Sequence, residues 1–430
     1  MPEYMGTLGA LGGRGMHVEQ VLEEGDLGAK RMILNFGPQH PATHGTLRNI
    51  VQLDGERVAS TEPDIGFLHS GFEKQAESHT YEQVVTITDR TNYMSAINNN
   101  IGYCHAVEKL LGIDVTPRCK AVRVILSELG RIQDHFVCVG LMAMDLGAFS
   151  VMLWAWIERE KVYDILEYIT GGRLTLSYGR VGGLARDIPE DFETWVRAFC
   201  SKAGKICDEI EFMLSENKIF TDRSRGIGVL TREQAIAWGV TGPIARAAGV
   251  TRDLRKSEPY FSYEQYEFEV PVFKEGDTYA RYKIRLDEMR QSLRIIDQAL
   301  KNIPDGPILV DDPRIVLPPK VQLRNNLKTP AGMASSHSSI EAHIFHFKHY
   351  MLGHGIRPPK GEIYAATESP NGELGYYLVS DGTERPWRMR IRPPSFYNYQ
   401  VYPELCRGVM LPDMVAIMAG LNVIAGELDR

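Results

Sequence analysis

Several common chemistries are missing from this chain. Its six cysteines stand at 104, 119, 138, 200, 207 and 406. None forms a C-x-x-C pair or a tight cluster, so the spacing offers no zinc or iron–sulfur site held by this chain alone. Reduced, intracellular thiols are the plain reading. No G-x-x-x-x-G-K-[ST] loop occurs, and the glycines of GALGGRG at 9–15 fit no strand-then-helix dinucleotide fingerprint, which argues against nucleotide binding. With 48 basic against 55 acidic residues and a net charge of −7, the chain lacks the positive excess of a nucleic-acid binder. The segment from Met1 to Val21 has no apolar core and little positive charge, so neither a secretory signal nor an Arg-rich transit peptide is expected, and the protein is expected on the cytoplasmic or matrix side.

What is present is an ordinary folding composition: 430 residues, 43% hydrophobic and 24% charged, enough for two or three sub-domains around sizeable cores. The pattern predicts one α+β chain. Residues 1–30 are glycine-rich and are expected to be an arm with no core of its own. Residues 31–75 alternate as three short strands, with a tight hairpin at Asp54-Gly55 and a loop, Gly37 to Gly45, joining the first two. Residues 76–302 read as a helical bundle. In it a long helical run extends from Val122 through Met152 to Tyr168 with a bend near Gly147, and further helices span 191–216, 231–238 and 277–302. Residues 303–395 read as a Pro-rich linker, a helix over SSIEAHIFHFKHYMLG and a small antiparallel sheet. Residues 396–430 form a helical tail.

The window Val137 to Ile157 has transmembrane length and a single charge, Asp145, near its middle. In a membrane that carboxylate would cost about 3 kcal/mol. A helix buried all round by protein is the preferred reading, and it obliges Asp145 to find a partner or a proton.

The candidate chemistry therefore rests on proton donors in apolar settings: His40 and His44 in the Pro-bounded loop, Tyr93 in Asp89-Arg90-Thr91-Asn92-Tyr93, and Asp145. Each taken singly also suits a structural role: a turn hydrogen bond, core packing or a pairing within the bundle.

The loop GPQHPATHG at 37–45 resembles the signature loop of the quinone-site (49-kDa type) subunit of proton-pumping NADH:quinone oxidoreductase, respiratory complex I. The same family is resembled at Ile65 to Lys74, Asp89 to Tyr93, Glu288 to Arg294, Leu378 to Gly382 and Gly426 to Arg430, in family order from about residue 31 to the end. The resemblance implies a fold like [NiFe]-hydrogenase large subunits: a central helical bundle, an N-terminal β-hairpin region and a small C-terminal sheet. It does not carry over nickel chemistry, because Glu73 to Ser78 and Ala425 to Arg430 lack the cysteine pairs. Ser70 stands where an Arg is commoner, so no anion contact is expected there.

The resemblance further implies that His44 and Tyr93 hydrogen-bond a quinone head and that Asp145 pairs with His44. Electrons would come from an iron–sulfur cluster in an adjacent subunit, with quinone as substrate and no cofactor held by this chain alone. Such proton donors suit a reaction that adds two protons to quinone oxygens. His40 is expected to orient the turn, and Arg131 and His135, four apart on one helix face, to make a polar contact toward the partner or its cluster. The expected partners are the iron–sulfur subunit, other peripheral-arm subunits and a membrane-arm quinone-channel subunit, with no nucleic acid. The expected location is the cytoplasmic face of a bacterial inner membrane, peripheral. Two other readings remain: a non-catalytic support subunit of a related membrane-bound hydrogenase or ferredoxin-dependent complex, and an independent soluble enzyme.

Overall fold

The computed structural model describes residues 17–24, 30–43, 45–312, 315 and 355–430; His44 and the helix expected over 338–353 lie outside the described residues. The N-terminal sheet is a meander of four antiparallel strands, β1 (His17–Glu24), β2 (Lys30–Phe36), β3 (Arg48–Asp54) and β4 (Arg57–Asp64), in that spatial order. Its logic is visible in β3, where Asn49, Val51 and Leu53 are buried and the residues between them are partly exposed, the two-residue period of a strand with one face on a core. The hairpin between β3 and β4 turns at Gly55, whose φ of 64° is one that a side chain disfavours. The arm expected over 1–30 contains a strand, since β1 pairs with β2 and adds an edge the sequence pattern does not disclose.

The middle of the chain is helical. It comprises α1 (Phe72–Ser78), α2 (Tyr81–Thr88), α3 (Ala96–Leu111), α4 (Pro117–Asp145) and α5 (Phe149–Thr170), then a two-strand ribbon, β5 (Gly179–Arg180) with β6 (Gly183–Leu184). After these come α6 (Phe192–Ser215), α7 (Lys218–Asp222), α8 (Arg232–Ala237), α9 (Pro243–Ala247), α10 (Leu254–Ser257) and α11 (Thr278–Lys301). Helix α4 is started by Pro117 at its first turn and by the Thr116 hydroxyl, which accepts from Cys119 N at 3.3 Å. It packs against α5 and α11 and carries the centre of the main core, including Ile125, Leu129, Ile132 and Phe136.

The long helical run expected from 122 to 168 is two helices. Gly147 adopts φ 94°, and the amides of Leu146, Gly147 and Ala148 close back on Met142, Met144 and Ala143, so α4 stops at Asp145 and the chain begins again as α5. The expectation of burial all round holds only for the α4 half of the window. On α5 the side chains of Phe149 and Ile157 are 55% and 59% exposed, and Leu153, Trp154 and Trp156 are exposed as well. No helix among the described residues is long and apolar enough to cross a membrane.

The C-terminal part forms a three-stranded antiparallel sheet, β7 (Gly361–Ser369), β8 (Gly372–Ser380) and β9 (Arg388–Arg392), with the turns falling at Pro370-Asn371 and Asp381-Gly382. Leu374, Tyr376, Leu378, Met389 and Ile391 pack it onto α2 and α3. Four short helices close the chain at Pro394–Tyr399, Tyr402–Cys406, Leu411–Leu421 and Ala425–Asp429. The whole is an α+β fold with a central helical bundle between two small antiparallel sheets.

Candidate functional site

The loop between β2 and β3 is held by its own side chains. Thr43 donates its hydroxyl to Pro38 O (3.1 Å) and His40 O (2.8 Å). His40 Nδ1 accepts from Ala42 N at 3.2 Å while its ring lies 4.4 Å from that of Phe36, and burial lowers its pKa. His40 is therefore occupied in shaping the turn, and the loop presents Thr43 and Thr46 to the end of α4. There they meet Cys138, Leu141 and Asp145, together with Asn422, Ala425 and Leu428 of the C-terminal helices, around a cavity of about 20 Å³. That volume suits a single water. Asp145 is half-buried, and no side chain among the described residues hydrogen-bonds to it; burial pushes its carboxyl up to about 6.

The Asp89 to Tyr93 segment reaches the same place from the other side. Asp89 accepts from Ser177 Oγ (2.7 Å), Ser177 N (3.1 Å) and Asn100 Nδ2 (2.7 Å), which pins the segment to α3 and to the loop after α5. Asn92 Oδ1 accepts from the amides of Met94 and Ser95. The Tyr93 hydroxyl lies near the backbone amide of Ala425, a residue that also lines the cavity beside Asp145 and Thr43. Burial, and then the nearby carboxylates of Asp134 and Glu427, raise the Tyr93 pKa, so the phenol keeps its proton until something strongly basic asks for it.

The chain terminus is what gathers these pieces. Asp429 accepts from Gly66 N (2.9 Å) and Leu68 N (2.7 Å), its carbonyl takes the Nδ1–H of His69 (2.8 Å), and Arg430 O accepts from the amides of Ser70 and Gly71. A Cβ at Gly426 would stand 2.4 Å from Arg90 O and 2.8 Å from Thr91 O, backbone atoms that cannot step aside. Gly426→Ala is therefore expected to cost about 1–3 kcal/mol and to loosen residues 425–430. The check is hydrogen exchange of the intact complex, in which the amides of these residues should be protected in wild type and exposed in the variant.

Of the residues singled out from sequence, Asp145 and the His40 loop share one cavity with Ala425, and Tyr93 approaches Ala425 from a separate cleft. Arg131 and His135 do not join them. Both are wholly buried. Arg131 donates to Glu128 Oε2 and to the carbonyls of Glu368 (2.6 Å) and Ser369 (3.1 Å), and His135 Nε2 lies 3.0 Å from Glu288 Oε2. The expected contact toward a partner is corrected accordingly: these side chains serve an internal network. Its other members, which sequence reasoning misses, are Arg246 (2.7 Å from both Glu288 and Glu368), Arg255 and Asp253. Burial would lift Glu288, but Arg246 and His135 outweigh it and bring its pKa down to about 2.

Sequence reasoning assigns no role to Asn92, Asp134, Asn422, Ser395 and Glu427, a hydrogen-bonded group beside Tyr93. Asp134 carries no local signal either, since it stands in the run Arg131-Ile132-Gln133-Asp134-His135, where polar residues are ordinary. A larger cavity of about 520 Å³, lined by residues including His105, Lys109 and Phe261, shares no residue with this site. Among the described residues no group of three or more His, Cys, Asp or Glu is placed to hold a metal ion.

Far-separated segments of one α+β chain thus come together at Ala425 and Gly426. Residues 145–430 match the family described as respiratory-chain NADH dehydrogenase, 49 Kd subunit, and the chain belongs to that family. It is 47% identical over 399 residues to the D subunit of the NADH-quinone oxidoreductase of Geotalea uraniireducens, covering 93% of this chain and 98% of the relative. It is 46% identical over 404 residues to the corresponding D subunit of Leptospira biflexa, covering 94% and 96%. The C/D subunit of the NADH-quinone oxidoreductase of Bdellovibrio bacteriovorus is 48% identical over 404 residues, 94% of this chain and 70% of the relative.

Proposed function

We propose that this chain, as part of NADH:quinone oxidoreductase, forms the quinone-reduction site together with a neighbouring iron–sulfur subunit, and that reduction there is coupled to proton translocation. The observation that carries the reading is that Thr43, Asp145 and Ala425 line one cavity while the Tyr93 hydroxyl lies near the Ala425 backbone. A quinone ring is far larger than the cavity of about 20 Å³, so the ring sits at its mouth and the remaining wall comes from the partner that delivers electrons.

In this reading Tyr93 gives its O–H proton to one quinone oxygen and His44 supplies the other as two electrons arrive from the partner's cluster. The pairing of His44 with Asp145 then provides the coupling: above about pH 6 Asp145 is ionised and attracts a protonated His44, and His44 loses that attraction on giving its proton to the quinone. Quinone is substrate, and this chain holds no redox group. The other partners are further peripheral-arm subunits, among them a C-type chain such as the relative named C/D carries in one polypeptide, and a membrane-arm subunit that admits the quinone. The chain then lies peripherally on the cytoplasmic face of a bacterial inner membrane.

Photolabelling the intact complex with a photoreactive quinone analogue tests the site. Label is expected in peptides spanning 37–47 and the end of α4, and competition by excess quinone should remove it; label confined to other subunits would contradict the proposal. The gathering of proton donors at an opening favours this reading over a support-only role for the chain.

A further inference from the structure

Behind Tyr93 two carboxyl groups share one amide. Asn92 Nδ2 donates to Asp134 Oδ2 at 3.1 Å and to Glu427 Oε1 at 2.9 Å, and both acids are 0% exposed. The other oxygen of Glu427 accepts from Ser395 N (3.1 Å) and from the Ser395 hydroxyl, and Asp134 Oδ1 accepts from Asn422 Nδ2 at 2.8 Å. Every one of these donors is neutral. Two ionised carboxylates on one amide in a low-dielectric interior repel, and neutral donors do not cancel the second charge. Burial first and then the Asp134 charge lift Glu427 to about 7, against the Ser395 hydrogen bonds.

The groups around Glu427 come from several elements. They are Asp134 on α4 with His135 and Arg285 beyond it, Tyr93 ahead of α3, Tyr376 on β8, and Arg430, whose guanidinium lies 4.3 Å from the Phe396 ring. Tyr93 is the chain neighbour of the bridging Asn92, and it stands in the field of both acids.

We propose that Glu427 is a positioning and charge-setting residue for Tyr93: as a neutral acid bridged through Asn92 it leaves the phenol able to donate, and on ionising it holds the phenolic proton back. The inference rests on the reading of Tyr93 as a proton donor to quinone. In that step the Tyr93 O–H bond breaks, its electron pair stays on the phenolate oxygen, and the proton joins a quinone oxygen made basic by electrons that originate in NADH. Glu427 makes no bond to substrate. An ionised Glu427 places a negative charge where a phenolate must form, so the rate falls as pH rises through the Glu427 ionisation.

The test is the pH profile of NADH:quinone reduction in membranes carrying wild type, Glu427→Gln, Glu427→Asp or Tyr93→Phe, with NADH:ferricyanide activity as the control for assembly. In wild type the rate should decline above about 7. In Glu427→Gln, which keeps the shape and loses the charge, the ratio of the rate at about pH 6.5 to that at about pH 8.5 should fall toward one. Glu427→Asp should keep the alkaline decline at a shifted position, and that shift alone decides the matter if Glu427→Gln does not assemble. A uniform loss at every pH, or an unshifted decline in both variants, would mean a purely structural role and overturn the proposal. A slow Tyr93→Phe beside such a result removes only the role of Glu427, whereas a Tyr93→Phe enzyme of wild-type speed removes the Tyr93 reading and this inference with it.

Discussion

Tyr93→Phe is expected to lower NADH:quinone reduction about 100-fold while leaving NADH:ferricyanide activity intact, because a positioned general acid contributes roughly 10²–10⁴ in rate. The substitution removes one oxygen and no packing surface. Tyr93 lines a small cleft together with Ser95, Ala96, Ile97, Gln133 and Leu166, and a phenylalanine suits that cleft equally well. The hydroxyl it deletes is the one that lies near the backbone of Ala425, which lines the Asp145 cavity. Electron flow upstream does not involve this group, so the two activities should separate. A drop in both would indicate lost assembly instead.

The second large effect concerns folding. Arg246→Ala should prevent accumulation of the assembled chain, since it strands Glu288 and Glu368 in the interior with their 2.7 Å partner removed, at a cost of about 3–5 kcal/mol. Arg252→Ala is the comparison: its 3.4 Å pair with Glu258 lies at the surface, with 54% and 69% of the two side chains exposed, and its loss should cost less than about 1 kcal/mol. The abundance of the complex on native gels of membranes measures both. Equal abundance of the two variants would contradict the assignment of the buried network as a structural keystone.

The contrast between these two regions also explains what can be read from sequence. The hairpin at Gly55, the strands after Pro359 and the helices α6 and α11 follow from local periodicity and turn residues, and each lies where the pattern predicts it. The break at Gly147 reads as a bend because a lone glycine within an apolar run does not say whether the helix continues; the backbone closure onto Met142, Met144 and Ala143 decides it. The strand in 17–24 is hidden by the glycine-rich sequence around it. The buried network cannot be read at all. Arg255 meets Glu128 across 127 residues, and Arg246 meets Glu368 across 122, so each side chain seen singly is an ordinary surface charge.

The site shows both behaviours. The His40 loop and Tyr93 stand out through short motifs, and Asp145 through its position in an apolar stretch. Asn92 and Glu427 fall in two of the segments that resemble the family, but their role is not legible there because it arises from a contact 335 residues apart, and only the fold brings the terminal helix under the Tyr93 segment. The resemblance to the family locates the segments that matter; the geometry supplies the reason they occur together.

The most direct test of the central claim is a paired measurement of NADH:quinone and NADH:ferricyanide activity in membranes carrying His44→Ala, Tyr93→Phe or Asp145→Asn. Loss of quinone reduction with ferricyanide reduction retained in all three is the predicted result. Wild-type quinone reduction in all three would contradict the placement of the quinone site on this chain.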